Sequence, residues 1–168
     1  MLILCGTISP PANAWETKSR NEESVALDNP IAFEVNSRGE TSEVFRDADD
    51  KVNLRVSLVT GFSQYSPHNC PTLQIDSRVP VHHETPGDNC AIEMHAATIV
   101  LGDIVDELII SLPLHRLMNG SQLAVRFVTA SGEYRESLFS LSNSKQAIQA
   151  AIGESVKAEP RLEETAAQ

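Results

Sequence analysis

Apolar and polar residues alternate at every second position in several short segments, and this pattern constrains the fold most strongly. In KVNLRVSLV the apolar side chains are Val52, Leu54, Val56 and Leu58. Successive side chains of a strand point to opposite faces, so this segment predicts a strand with one face on a core and the other in water. A second layer must then cover the apolar face of the sheet.

The same pattern predicts two hairpins and one further strand. A first hairpin turns at Gly39 and a second at Gly132, each between runs of alternating residues. The segment PTLQI reads as a short strand with Leu73 and Ile75 facing inward. The alternating positions of the hairpins are Ile31, Phe33 and Val35 in the first, and Leu123, Val125 and Phe127 in the second.

Two helical segments are expected in the second half of the chain. LHRLMNG predicts one helical turn that ends at Gly120. A C-terminal helix is expected to begin at Asn143, with Gln146 completing a capping box, and to stop at Gly153. Residues 154–168 are charged and poor in large apolar side chains, which predicts a flexible tail.

Many short alternating strands with one terminal helix predict an antiparallel β-sandwich or barrel-like domain with a short C-terminal helix. The chain has 168 residues, of which 41% are hydrophobic and 21% charged, as expected for a single domain. We assign that domain to residues 15–153. A strand led by Trp15 is expected at its edge.

The net charge of -10 argues against two classes of partner. Nucleic-acid phosphates and anionic membrane surfaces are both bound by clustered Lys and Arg side chains. We therefore expect neither of these partners, no cofactor, and no membrane insertion of the mature chain.

Residues 1–14 are expected to act as an export signal. An apolar run from Leu2 to Ile8 precedes a Pro-Pro break and the sequence ANA, which resembles a signal-peptidase site before Trp15. The basic region that normally opens such a signal is missing, so we expect a truncated signal. The mature protein would then be periplasmic or secreted.

Two cysteines and four histidines lie between residues 68 and 95. If Cys5 leaves with the signal, Cys70 and Cys90 remain as a pair in an oxidising compartment, and a disulfide is the simplest account. The alternative is a metal site with ligands from His68, His82, His83 and His95, with or without thiolates. None of these residues has a standard zinc-ligand spacing.

Other candidate sites have weaker patterns. Ser63 in GFSQYS lacks the second glycine of a nucleophile elbow, and a hydrolase would need it beside His95 or His115 and a carboxylate. The acidic residues Asp103, Asp106 and Glu107 lack the dense spacing of a calcium loop. We expect no enzyme activity.

The C-terminal third resembles a known group of proteins. LPLHRLMNGSQLAVRFVTASGEYRESLFSLSNSKQAIQAA, with Phe139 and Leu141 before a short helix, is similar to the ending of bacterial periplasmic proteins of the invasion-associated locus B type and of a related family encoded beside type VI secretion systems. The strand LQIDSR, with Asp76 and Arg78, and the junction ANAW also resemble theirs. Val56 stands where those families often have a cysteine, so their disulfide pairing is not transferred.

The resemblance implies an exported β-sandwich that is linked to host contact or to secretion machinery. We therefore expect an accessory or binding protein of the cell envelope that acts through contacts with a protein partner. A periplasmic metal-binding protein that uses the cluster between residues 68 and 95 is the alternative.

Overall fold

A computed structural model describes residues 14–19, 30–61, 63–82, 86–87 and 89–160 of the chain. The expected signal sequence up to residue 13 and the tail from residue 161 lie outside these ranges. The described strands are β1 (Glu16–Lys18), β2 (Ile31–Val35), β3 (Thr41–Arg46), β4 (Lys51–Ser57), β5 (Thr72–Ile75), β6 (Cys90–Ile92), β7 (Ala96–Asp103), β8 (Leu108–Ile110), β9 (Gln122–Val128), β10 (Tyr134–Ser140) and β11 (Lys157–Glu159), and the helices are α1 (Leu112–Asn119) and α2 (Ser144–Ile152).

The strands form three sheets. A six-stranded sheet has the order β1-β2-β3-β4-β7-β6, and a three-stranded sheet has the order β10-β9-β5. Neighbouring strands in both of these sheets are antiparallel, whereas β11 pairs with β8 in parallel. The predicted fold class is confirmed as mainly β and antiparallel, with a short C-terminal helix, and the sheets do not close into a barrel.

Alternation correctly identifies the core face of the central strands. Val52, Leu54 and Val56 of β4 are fully buried, and Leu73 and Ile75 of β5 are equally well covered. Leu123, Val125 and Phe127 of β9 complete the opposing layer. The main hydrophobic core joins the inner faces of these strands with apolar residues of both helices. Phe127 lies in a second, smaller cluster with Leu58, Tyr65 and Ala97.

In β2 the core face is the opposite of the one that alternation indicates. Ala32 and Glu34 are buried, while Ile31 and Phe33 are half-buried and Val35 is exposed. The small Ala32 leaves room for α2, which packs its apolar residues against β2 and β3. The predicted hairpin is confirmed, since β2 pairs with β3, but a carboxylate occupies an inward position.

Helix α1 is longer than the single turn that the sequence predicts. It begins after Ser111, whose hydroxyl accepts a hydrogen bond from the Leu114 amide, and it ends at Gly120. A Cβ atom at position 120 would lie 2.5 Å from Cγ2 of Ile75. This close approach requires glycine there.

Helix α2 begins and ends where the sequence predicts, but the capping box is absent. Asn143 has a left-handed backbone with φ of 63° and makes no side-chain cap. The side-chain amide of Asn143 instead donates a hydrogen bond to the main-chain oxygen of Trp15 at 3.0 Å. The Trp15 indole is fully buried and donates to the Ser140 carbonyl oxygen at 2.7 Å, which fixes the start of the predicted edge strand β1.

The chain remains ordered beyond Gly153. Val156 is buried, and β11 follows it and pairs with β8. Val156 is the one large apolar residue between positions 154 and 160, so the alternation of residues does not indicate a strand there. Neither helix in the described part of the chain is long and apolar enough to cross a membrane.

Candidate functional site

A disulfide joins Cys70 and Cys90, as the cysteine count predicted. Cys70 lies just before β5 at one edge of the three-stranded sheet, and Cys90 opens β6 at one edge of the six-stranded sheet. Both cysteines are buried. The bridge therefore fastens the two layers together across a separation of 20 residues, which stabilises the fold by about 3 kcal/mol on loop-closure entropy.

The histidines of this region make separate contacts. His68 is exposed in a turn, and His82 places Nδ1 3.1 Å from the Thr72 hydroxyl. His95 places Nδ1 3.0 Å from the carbonyl oxygen of Ser63. His83 lies outside the described residues. Within the ranges that the structure covers, no three His, Cys, Asp or Glu side chains form a group that could hold a metal ion.

Several residues singled out in the sequence make structural contacts. The interaction between His95 and Ser63 uses the main-chain oxygen of the serine and not its hydroxyl. Glu107 accepts a hydrogen bond from the Ser155 hydroxyl at 2.8 Å and so ties the turn before β8 to the segment before β11. Asp76 accepts hydrogen bonds from the main-chain amides of Ser121 and Gln122.

The outer face of the three-stranded sheet carries polar and apolar side chains together with one aromatic ring. We call it the Tyr134 face, and it consists of Thr72, Gln74, Ala124, Arg126, Val128, Tyr134, Glu136 and Leu138. Tyr134 is 80% exposed and Leu138 is 44% exposed. Arg126 lies at the centre and donates to the Glu136 carboxylate at 2.7 Å.

A shallow cavity of about 310 Å³ opens on the Tyr134 face beside the disulfide. Tyr134, Arg126 and His82 contribute to its wall together with Cys70. Tyrosine and arginine are, with tryptophan, the side chains enriched at the energetic centres of protein interfaces. This arrangement suits the binding of a protein surface, with the tyrosine ring as an exposed anchor.

A second site lies where the open edge of β10 meets the β2–β3 hairpin, and we call this contact the β10 seam. Three side chains donate to main-chain oxygens along the edge: the Trp15 indole to Ser140, the Asn36 amide to Leu138, and the Arg38 guanidinium to Glu136. These hydrogen bonds cover an edge that would otherwise be free to pair with another strand.

The β10 seam encloses the buried carboxyl group of Glu34. This residue is 1% exposed, and neither carboxylate oxygen has a hydrogen-bond partner. Burial raises the pKa of Glu34 to about 7. The main-chain amide of Ser140 is near enough to oppose this rise in part, although it does not reach hydrogen-bond geometry. Sequence reasoning missed this residue because alternation placed it on the solvent face.

The fold and the site together define a small antiparallel β protein whose two layers are joined by a disulfide. No family model matches the sequence, and a search of curated proteins gives no significant match. Among solved structures, the chain is similar to invasion associated protein B from Bartonella henselae, with a TM-score of 0.54 and 16% identity over 84% of this chain and 93% of that chain. At this level of identity the likeness shows a common fold, which agrees with the resemblance in the C-terminal third.

Proposed function

We propose that this protein is an exported component of a bacterial cell envelope that binds another protein and performs no catalysis. The observation that carries the proposal is the fold of invasion associated protein B, extending over most of the chain. That name links the fold to bacterial invasion, and a role in host contact is the corresponding proposal for this chain. A role beside secretion machinery is supported only by the sequence resemblance of the C-terminal third.

The disulfide supports a periplasmic or secreted location for the protein. Disulfides between buried cysteines form and persist in oxidising compartments and are rare in the cytosol. A periplasmic or secreted location therefore suits Cys70 and Cys90, and export would bring the protein into contact with envelope partners.

The Tyr134 face is the surface we assign to the partner. Tyr134 and Leu138 expose apolar area on a rigid sheet, and Arg126 lies between β5 and β10 in the middle of that sheet. A rigid aromatic anchor beside an arginine loses little conformational entropy when a partner binds, which favours affinity.

A photo-cross-linking experiment tests this assignment in the native host. The photoreactive residue p-benzoylphenylalanine replaces Tyr134 in one variant and the exposed Glu154 in the control. A third variant combines the replacement at position 134 with Arg126→Ala. We expect one adduct of defined mass at position 134, none at position 154, and a strongly reduced yield with Arg126→Ala.

Two results would overturn the proposal. One is the absence of any adduct at position 134 in folded, exported protein. The other is an adduct of equal yield at both positions, or one that Arg126→Ala leaves unchanged, because either would indicate random collision and not a defined interface.

A further inference from the structure

A cavity of about 200 Å³ lies between the turn of the β2–β3 hairpin and the start of β10. Its wall also includes the segment that follows β4, and it consists of Arg38, Glu40, Leu58, Val59, Ser63 and Arg135. Arg135 lies opposite the inward-facing Phe127 in the β9–β10 pair. Its side chain therefore leaves β10 on the side away from the Tyr134 face.

The wall of this cavity is locally positive, although the chain has a net charge of -10. Among its described residues two are arginines and one is a glutamate, which leaves an excess of one positive charge. The Oε2 atom of Glu40 accepts hydrogen bonds from Nη2 of Arg38 at 3.0 Å and from the side-chain amide of Asn36 at 2.7 Å. These contacts hold the Arg38 guanidinium in one orientation at the wall.

Both arginines keep N–H donors that have no partner among the described residues. Arg38 uses Nε and Nη2 for the Glu40 carboxylate and the Glu136 main-chain oxygen, which leaves Nη1. Arg135 uses only Nη2, in an exposed ion pair with Glu133 at 3.1 Å. Such exposed pairs contribute little to stability, so an anion from solution can replace Glu133 at small cost.

The wall selects the kind of anion. An excess of one positive charge suits a monoanion, and the Glu40 carboxylate repels a second negative charge. Guanidinium groups match the planar carboxylate, and the Ser63 hydroxyl adds a donor, since the described contact of Ser63 uses its main-chain oxygen. Val59 is half-buried and Leu58 is 5% exposed, which gives a small apolar surface for a short alkyl chain. The space is adequate, because a cavity of about 150 Å³ holds benzene.

We propose that this cavity binds a small organic monocarboxylate with a short alkyl chain, and that Arg38 and Arg135 together hold its carboxylate group. The cavity lies on the opposite side of β10 from the Tyr134 face, so this inference goes beyond the proposed function and can fail independently of it. Because the attraction is between charges near the surface, binding must weaken as the salt concentration rises.

Titration with hexanoate, followed by amide NMR shifts, tests the site. The uncharged control ligand is 1-hexanol, and acetate is the control without an alkyl chain. The variants Arg135→Gln and Arg78→Gln each remove one positive charge, and the exposed Arg78 lies outside the cavity. Loss of a charged hydrogen bond is expected to weaken hexanoate binding about tenfold or more in Arg135→Gln. Contact of two methylene groups with the apolar wall should make hexanoate bind about tenfold tighter than acetate.

We expect saturable shifts at the amides of Gly39, Val59 and Arg135 in the wild-type protein. Arg78→Gln should retain the wild-type affinity, whereas Arg135→Gln should need about ten times more hexanoate. A third variant, Val59→Ser, should bring the affinity for hexanoate close to that for acetate.

The proposal is overturned if the wild type shows no saturable shift, or if Arg135→Gln binds hexanoate as well as the wild type. It is also overturned if 1-hexanol or acetate binds as tightly as hexanoate, or if Arg78→Gln weakens binding as much as Arg135→Gln, because net charge alone would then explain the effect. Amide spectra of each variant report folding in the same experiment.

Discussion

The buried carboxyl group of Glu34 makes a quantitative prediction about stability and pH. Its pKa is raised from 4.5 to about 7 in the folded protein, mainly by burial. The unfolded chain therefore loses this proton at a lower pH than the folded chain does. The group does not penalise folding below pH 4.5, and stability is lost progressively as the pH rises from 4.5 through 7.

The magnitude follows from the shift. One unit of pKa corresponds to about 1.4 kcal/mol, so a shift of this size removes about 3 kcal/mol of unfolding free energy at pH 8. Glu34→Gln keeps the shape of the protonated side chain without its titration. We expect this variant to match the wild type near pH 4.5 and to exceed it by about 3 kcal/mol at pH 8.

Urea denaturation between pH 4.5 and 8 measures the difference, with Glu154→Gln as the control for loss of one negative charge. The reasoning is refuted if the stability gain of Glu34→Gln is the same at both ends of the range. It is equally refuted if Glu154→Gln reproduces the gain, because the effect would then come from the net charge of the chain.

Three further tests by substitution probe the fold. Replacing Cys70 and Cys90 together by serine should lower the unfolding free energy by about 3 kcal/mol, and reducing agent should then have no additional effect on stability. Trp15→Phe should cost about 1–3 kcal/mol in urea denaturation, since a buried indole loses its hydrogen bond and part of its packing; no loss would contradict the role of this anchor. Gly120→Ala should lower the melting temperature, at a cost of about 1–3 kcal/mol, because its Cβ would collide with packed atoms, whereas Gly87→Ala meets nothing within 4 Å and should be neutral.

Local alternation was sufficient to predict the central strands. Val52, Leu54 and Val56 lie in a strand with neighbours on both sides, so a single apolar face decides its orientation. The same rule failed in β2, because its inward positions face α2 and the edge of β10. Helix α2 and strand β10 follow β2 by about a hundred residues. The local pattern of IAFEV therefore does not indicate which face of β2 they cover.

The candidate sites also divide into features that the local sequence predicts and features that depend on contacts between distant segments. The Cys70–Cys90 disulfide could be predicted without knowledge of the fold, because only these two cysteines remain once Cys5 is removed with the expected signal. Tyr134 and Arg126 read locally as ordinary solvent-facing residues of a hairpin, and their relation to His82 appears only when β5 pairs with β9. Asn143 was expected to cap α2, but the partner it contacts is Trp15, which lies 128 residues earlier.

The proposed function depends on export of the oxidised protein, and thiol labelling of fractionated cells tests this most directly. Periplasmic and secreted fractions are treated with an alkylating reagent before and after reduction, and the peptides that contain Cys70 and Cys90 are analysed by mass spectrometry. We expect protein in these fractions whose two cysteines accept the label only after reduction. Protein that remains in the cytoplasm with both thiols reactive before reduction would contradict it.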